Sequence, residues 1–88
     1  MKRAPDKHRP TLFPWATFPH LLAAIEDGAQ KYSPNDWQRN TPSHHLDKAL
    51  RHLIEHINGE ECSPDNGVPH VAAAAVNCLF ALWLEENR

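Results

Sequence analysis

The side chains best suited to chemistry in this chain lie between residues 44 and 70. They comprise five histidines and three carboxylates: His44, His45, His52, His56, Glu60, Glu61, Asp65 and His70. His52 and His56 are four residues apart, so on a helix both imidazoles can reach one point in space. Imidazole together with carboxylate oxygens suits transition metals such as Mn, Co or Zn, whereas carboxylates alone suit Mg. Because such an ion polarises a phosphoryl oxygen and activates bound water, this stretch predicts a metal site for phosphate-ester hydrolysis.

The same residue types also allow a purely structural interpretation. Histidines at a helix edge are usually exposed or merely hydrogen-bonded, and we expect His44 and His45 on the surface of a first helical turn. Asn77 lies on an alanine-rich face, where it either meets a ligand or bonds across a tight helix crossing. For Tyr32 and Trp37, packing in the core is the alternative to binding a ligand.

Three helices position these side chains. The apolar spacing and the capping residues predict helices from Thr17 to about Lys31, from Thr41–Pro42 to Gly59, and from His70 to Glu86. On the second helix the apolar stripe is centred near Leu53 and Ile57. We therefore expect this stripe to face the core and the histidines to flank it.

The remaining segments complete an all-α fold class, a small three-helix domain with an N-terminal Pro/aromatic strap. Between residues 9 and 19, prolines alternate with aromatic residues, which predicts an ordered strap that lays its rings over the core. The third helix is apolar nearly all round, so we expect a second subunit to cover part of it. The predicted assembly is a homo-oligomer, a dimer or larger.

Composition limits the partners and the compartment. A chain of 88 residues makes one domain, which we divide into a basic flexible tail at 1–10 and a single helical domain at 11–88. A net charge of -2 disfavours binding to long nucleic acid. The absence of a signal-like or membrane-spanning apolar run favours the cytoplasm, without membrane association. Cys62 and Cys78 are expected to stay reduced.

Two stretches resemble a known family. Gly28-Ala29-Gln30-Lys31-Tyr32 followed by Asn35-Asp36-Trp37 is similar to the Gly-Ala-x-Lys-Tyr-Gly-x-x-Asn-Trp signature of the dATP/dGTP diphosphohydrolase family. Ser33 replaces a glycine of that signature, and Asp36 is inserted before the tryptophan. The series Arg51-His52, Gly59-Glu60, Asp65, Gly67 and His70 resembles that family's Arg-His, Gly-Glu, Asp, Gly, His order, and Asn77 with Leu79-Phe80 resembles its closing helix.

The resemblance implies an all-helical protein that hydrolyses purine deoxynucleoside triphosphates with a divalent metal, namely Mn, Mg, Co or Zn. It implies metal ligands at His52, Glu60, Asp65 and His70, with Glu60 and Asp65 as catalytic residues. It also implies substrate-binding roles for Lys31, Tyr32, Asn35, Trp37, Arg51 and Asn77. The partner is then a purine deoxynucleotide, met in the host cytoplasm if the chain is phage-encoded.

One departure from the family pattern supports an alternative. Ala73 and Ala74 stand where the family often has a second histidine, one turn after the position of His70, so one ligand would be missing. The alternative expectation is a catalytically inactive, phage-type helical protein that binds a nucleotide or a host protein.

Overall fold

The structure is a computed structural model and describes residues 7–87. In that range it contains three helices, α1 (Phe18–Lys31), α2 (Pro42–Ile57) and α3 (His70–Glu86), and no β-strand. Short 3₁₀ turns occupy Pro10–Leu12, Trp15–Thr17 and Asp36–Arg39. The predicted all-α, three-helix fold is confirmed. Of the predicted basic tail, residues 1–6 lie outside the described residues. None of the described helices is both long and apolar enough to cross a membrane.

The two predicted N-caps behave differently. The Thr41 hydroxyl accepts a hydrogen bond from the His44 amide at 3.1 Å, and Pro42 follows in the first turn, as expected for a capped helix start. The Thr17 hydroxyl instead donates to the Pro14 carbonyl at 2.8 Å, and the Thr17 backbone is already helical. The predicted capping role of Thr17 is therefore wrong, because a 3₁₀ turn runs directly into α1.

A Schellman motif ends α2. The Gly59 amide donates to the His56 carbonyl at 2.9 Å, and the Glu60 amide donates to the Glu55 carbonyl at 3.0 Å. Gly59 has a φ of 103°, which a residue with a Cβ atom rarely adopts. The chain reversal at Gly59 therefore holds Glu60 beside Glu55 on the last turn of α2.

The loop between α2 and α3 is tied to itself by backbone hydrogen bonds. The Ser63 amide donates to the Val68 carbonyl at 2.9 Å, and the His70 amide donates to the Glu61 carbonyl at 2.8 Å. Val68 is buried, which anchors the loop on the helices. These bonds fix where α3 begins and therefore where the His70 side chain lies. Cys62 in this loop is free and exposed, and so is Cys78 on α3.

Small side chains fill the interface between α2 and α3. The helices run antiparallel, since His52 on α2 meets His70 while the earlier His45 meets Asn77. The buried apolar residues are all small, namely Ala49, Val68, Ala72, Ala74, Val76 and Ala81. The largest fully buried side chains are those of His45 and His70. The alanines mark a tight helix crossing whose interior is filled by hydrogen-bonded imidazoles.

The rotation of α2 about its axis differs from the prediction. Its apolar residues Leu46, Leu50, Leu53, Ile54 and Ile57 are 38 to 79% exposed, so the stripe does not face the core of this chain. His45 is buried at 2% exposure, so its predicted surface position is wrong, whereas His44 is exposed as expected. The alanine face of α3 lets α2 approach closely, and both ring nitrogens of the buried His45 and His70 have hydrogen-bond partners.

The N-terminal strap packs mainly on itself. The ring centroids of Phe13 and Trp15 are 4.7 Å apart, and those of Trp15 and Phe18 are 5.7 Å apart. The Trp15 indole N–H donates to the Pro10 carbonyl at 2.8 Å. All three rings remain 42 to 53% exposed. The strap is ordered as predicted, but its aromatic residues do not cover the core between α2 and α3.

Candidate metal centre and cleft

Two histidines and two glutamates meet where the Schellman turn faces the start of α3. The Nδ1 atoms of His52 and His70 are 2.9 Å apart. His70 Nε2 lies 2.8 Å from Glu60 Oε1 and 3.1 Å from Glu55 Oε2. His52, Glu55 and His70 each offer a ligand atom, and these atoms lie within 4.8 Å of one another. We call these four residues the His–Glu cluster.

The two glutamates orient the His70 ring. Since carboxylates only accept, His70 Nε2–H donates to them, which leaves Nδ1 directed at His52 Nδ1. Histidines that bind metals commonly donate their other ring N–H to a carboxylate in this way. Without an ion, one of the two Nδ1 atoms donates to the other. Their 2.9 Å separation is close to the spacing of two nitrogen ligands on one ion, given metal–nitrogen bonds of about 2.0–2.1 Å.

The surroundings of His52 favour its neutral form. Burial lowers the pKa of His52, and so do the charges of His70, Lys48 and Arg51, while Glu55 acts in the opposite direction. A neutral imidazole has the lone pair that a metal ion requires. The cluster therefore presents at least one imidazole nitrogen whose lone pair can bind a metal ion, next to carboxylate oxygens.

A cleft of about 810 Å³ opens beside the His–Glu cluster. It is bordered by the C-terminal half of α1, the segment 32–40, one face of α2, the loop before α3 and the first half of α3. The predicted substrate-binding residues all line it, namely Lys31, Tyr32, Asn35, Trp37, Arg51 and Asn77. His52, Asp65 and His70 line it as well. Distant parts of the sequence are thus brought to one cavity large enough for a small ligand.

Comparison with known proteins supports the resemblance. Residues 1–88 match the family described as dATP/dGTP diphosphohydrolase, N-terminal. A dATP/dGTP diphosphohydrolase of Salmonella phage PMBT28 is 34% identical over 61 residues, which cover 69% of this chain and 21% of the phage protein. The chain belongs to the dATP/dGTP diphosphohydrolase family. The aligned part spans about a fifth of the phage relative's length. No solved structure matches the chain.

The predicted metal ligands of this diphosphohydrolase family member are only partly assembled. His52, His70 and Glu60 are in direct contact. Asp65 lines the cleft, but in residues 7–87 its carboxylate has no contact with the cluster, and its amide donates to the Ser63 hydroxyl at 3.3 Å. Glu55 was not among the predicted ligands. Its spacing of three residues from His52 places both side chains on one helical face, which is the sequence signal that could have identified it.

The aromatic residues predicted to bind substrate have different surroundings. Trp37 stacks on Phe80 with ring centroids 4.1 Å apart and an interplanar angle of 6°, and meets the edge of Trp83 at 5.1 Å. One ring face of Trp37 is therefore covered by Phe80, while Trp37 also lines the cleft. Tyr32 is 68% exposed, so its ring is open to a ligand. Asn35 has a φ of 67°, a left-handed conformation that asparagine tolerates better than most residues.

Asn77 bonds across the helix crossing. Its Nδ2 donates to the Ala73 carbonyl at 2.9 Å, which directs Oδ1 toward His45 Nδ1 at 3.0 Å. His45 Nε2 lies 2.9 Å from the Trp37 carbonyl. Both partners of His45 are oxygen atoms that can accept a hydrogen bond, so each ring nitrogen lies within hydrogen-bond distance of an acceptor. Asn77 therefore bonds across the helix crossing, and through His45 it also holds the segment that carries Trp37.

Proposed function

We propose that this chain binds purine deoxynucleoside triphosphates together with a divalent metal ion and hydrolyses them in the cytoplasm, the host cytoplasm if it is phage-encoded. One observation carries the proposal. Three residues of the His–Glu cluster, His52, Glu55 and His70, line the same cleft as the predicted substrate-binding residues. Membership of the dATP/dGTP diphosphohydrolase family supports the same substrate class.

The donor atoms of the cluster fit a divalent ion. Two imidazole nitrogens and carboxylate oxygens form a mixed set that favours Mn, Co or Zn over Mg. In the proposal, His52 and His70 bind the ion through Nδ1, Glu55 gives up its contact with His70 Nε2 and contributes an oxygen, and Glu60 alone then orients His70. When bound, the ion would polarise a phosphoryl oxygen and lower the pKa of a coordinated water.

The cleft residues divide the remaining tasks. Lys31 and Arg51 would neutralise charge on the phosphate chain, and the exposed ring of Tyr32 would stack on the purine base. Glu60 is engaged with His70, so it would act on water only by exchanging that partner. Asp65 lines the cleft, and within residues 7–87 its carboxylate forms no hydrogen bond or ion pair, which makes it the better placed general base of the two.

Hydrolysis of dATP or dGTP with Mn²⁺ tests the proposal. The products are separated by ion-exchange chromatography, which detects pyrophosphate or triphosphate release, and Mn²⁺ binding is followed by calorimetry. We expect Glu55→Gln to weaken Mn²⁺ binding at least about tenfold. Asp65→Asn should leave Mn²⁺ binding within about twofold but reduce turnover about a hundredfold, in the range of a lost general base.

Two results would count against this division of roles. Equal Mn²⁺ affinities of Glu55→Gln and the unmodified chain would remove Glu55 from the site. Tight nucleotide and metal binding without any product would favour the non-catalytic alternative instead.

We propose in addition that a second copy of the chain covers the outer face of α2. Leu46, Leu50, Leu53 and Ile57 follow one another at intervals of four, three and four residues, the spacing of a coiled-coil seam. All four are at least 38% exposed. Such a seam is complementary to itself, because leucine and isoleucine knobs pack into the holes of the same helix in an antiparallel copy. Exposed apolar residues on α3, such as Leu79 and Leu82, would extend the interface.

Substituting Leu50 by glutamate should disrupt this assembly. A carboxylate in the middle of the seam loses hydration on association, so we expect the dissociation constant to rise at least about tenfold. Light scattering after size-exclusion chromatography measures the mass. Ser43→Glu adds the same charge at an exposed position in the first turn of α2 and should leave the mass unchanged. A monomeric unmodified chain at tens of micromolar would contradict the proposal.

A further inference from the structure

Lys48 occupies a position in the cleft to which no role has been given. It lies on α2, four residues before His52 and three before Arg51, so all three side chains lie on neighbouring parts of one helical face. Its side chain is half-buried and lines the cleft. Lysine is seldom buried without a partner, because desolvation of the ammonium group is costly.

The positively charged side chains near Lys48 differ in whether they pair with a carboxylate. In residues 7–87, Lys31 pairs with Asp27 at 3.2 Å and Arg39 pairs with Asp36 at 3.4 Å. Neither Lys48 nor Arg51 forms an ion pair with a carboxylate in this range. Lys48 and Arg51, one turn apart on α2, therefore both line the cleft, and within the described residues neither charge is paired with a carboxylate.

The electrostatics at Lys48 agree with this description. Burial lowers the pKa of Lys48, and the positive charges of Arg51 and Lys31 lower it further. The pKa of the nearby His44 ring is also lowered, first by partial desolvation and then by His45, Lys48 and Arg51, while Asp47 acts in the opposite direction. An anion placed among these groups would offset the repulsion between Lys48 and its positively charged neighbours.

The distance from Lys48 to the His–Glu cluster indicates which anion fits. Four residues of helix correspond to a rise of about 6 Å between Lys48 and His52. An anion that reaches both must therefore be elongated and carry charge at more than one point, as a chain of linked phosphoryl groups does. Lysine binds phosphate as a compact point charge, and arginine can add a bidentate contact.

We propose that Lys48 and Arg51 form a phosphate-binding subsite that holds the polyphosphate chain of the nucleotide one helical turn away from the His–Glu cluster. The inference rests on the proposed function, since it assigns a further binding residue to the same cleft. In this proposal, α2 recognises the phosphate chain of the nucleotide more than its nucleoside. Inorganic triphosphate should therefore bind in the absence of any divalent ion.

Calorimetric titration of the 88-residue chain with inorganic triphosphate, in EDTA and at low salt, tests the subsite. Lys48→Met keeps most of the aliphatic stem and removes the charge, and we expect triphosphate binding to weaken about tenfold or more, equivalent to about 1.4 kcal/mol. Lys48→Arg keeps the charge and should stay within about threefold of the unmodified chain. Lys7→Ala removes one positive charge from an exposed position outside the cleft and should stay within about twofold.

Parallel titrations with dATP and with deoxyadenosine identify the part of the ligand that is bound. We expect Lys48→Met to weaken the binding of dATP as it weakens the binding of triphosphate. The affinity for deoxyadenosine should not change in this variant. Circular dichroism checks the folding of each variant. Should Lys48→Met lose helix, Lys48→Gln provides the same loss of charge with a polar side chain.

Equal weakening by Lys48→Met and Lys7→Ala would overturn the inference, because net charge alone would then explain the binding. Failure of the unmodified chain to bind triphosphate without metal would overturn it as well. These outcomes are separate from the hydrolysis test. If triphosphate binding depends on Lys48 but no turnover occurs, the subsite is supported and the catalytic proposal fails. If metal-dependent turnover occurs and Lys48→Met does not change it, the catalytic proposal is supported and the subsite fails.

Discussion

Replacing His52 by alanine is expected to abolish Mn²⁺-stimulated hydrolysis of dATP and dGTP while the chain keeps its helical circular dichroism. His52 supplies one of the two facing Nδ1 atoms of the His–Glu cluster. Changes to groups that merely orient a metal ligand typically cost 10–100-fold in affinity, so loss of a ligand should cost at least about a hundredfold. Alanine is the best helix former, so α2 itself should persist. Calorimetry with Mn²⁺ and chromatography of the products measure both effects.

His56→Ala is the matched control. It removes the same ring one turn further along α2, where His56 is exposed and, within residues 7–87, has no side-chain partner. We expect its Mn²⁺ affinity and turnover to remain within about twofold of the unmodified chain. If His52→Ala retained Mn²⁺ binding at the level of His56→Ala, the cluster would be a hydrogen-bonded structural element and the metal proposal would fail.

The helices could be predicted because their limits are set locally. Thr41 and Pro42 start α2, Gly59 ends it, and the structure has Pro42–Ile57. The start of α3 at His70 and its end at Glu86 also agree with the prediction. Capping residues, prolines and a glycine with positive φ act on the nearest turn and need no tertiary partner. Thr17 is the exception, because the turn before it already had helical geometry.

The rotation of α2 could not be predicted because it depends on what α3 offers. A helical wheel places Leu53 and Ile57 at the centre of the apolar stripe and so assigns that stripe to the core. In the structure, the alanine face of α3 instead accepts His45 and Ala49 and leaves the stripe exposed. Amphipathicity identifies an apolar face, but it does not tell whether the same chain or a second copy covers it.

The candidate site was predictable to the extent that the loop fixes it. The helices α2 and α3 are antiparallel and are joined by the loop at residues 58–69. The same end of the helix pair must therefore carry His52, Glu60 and His70. The spacing of Glu55 and Lys48 from His52 places them on the same helical face, but whether that face meets His70 and the cleft depends on the rotation of α2. Ala73 lines the cleft one turn after His70, at the place where the resemblance to the family implies a second histidine. In our proposal, Glu55 from the facing helix provides the third donor near that position.

The second large effect concerns stability and arises from Asn77. Asn77→Ala removes the acceptor of one His45 nitrogen and the donor to the Ala73 carbonyl. His45 is 2% exposed, so its Nδ1–H would lose its partner without gaining water. Leaving a buried polar group unpaired costs about 1–3 kcal/mol, and the small cavity adds to it. We expect the free energy of unfolding to fall by about 2–3 kcal/mol in urea titrations, a large fraction for a domain of this size.

Asn87→Ala separates burial from the hydrogen bond itself. Asn87 Nδ2 donates to the Trp83 carbonyl at 2.9 Å, the same four-residue pattern as Asn77 to Ala73, but in an exposed position. Water replaces that bond when it is lost, so the expected change stays within about 0.5 kcal/mol. Similar losses for the two variants would mean that the His45–Asn77 contact contributes little to folding. Asn77 would then be free to serve the ligand, and its place on the cleft wall would require a functional explanation.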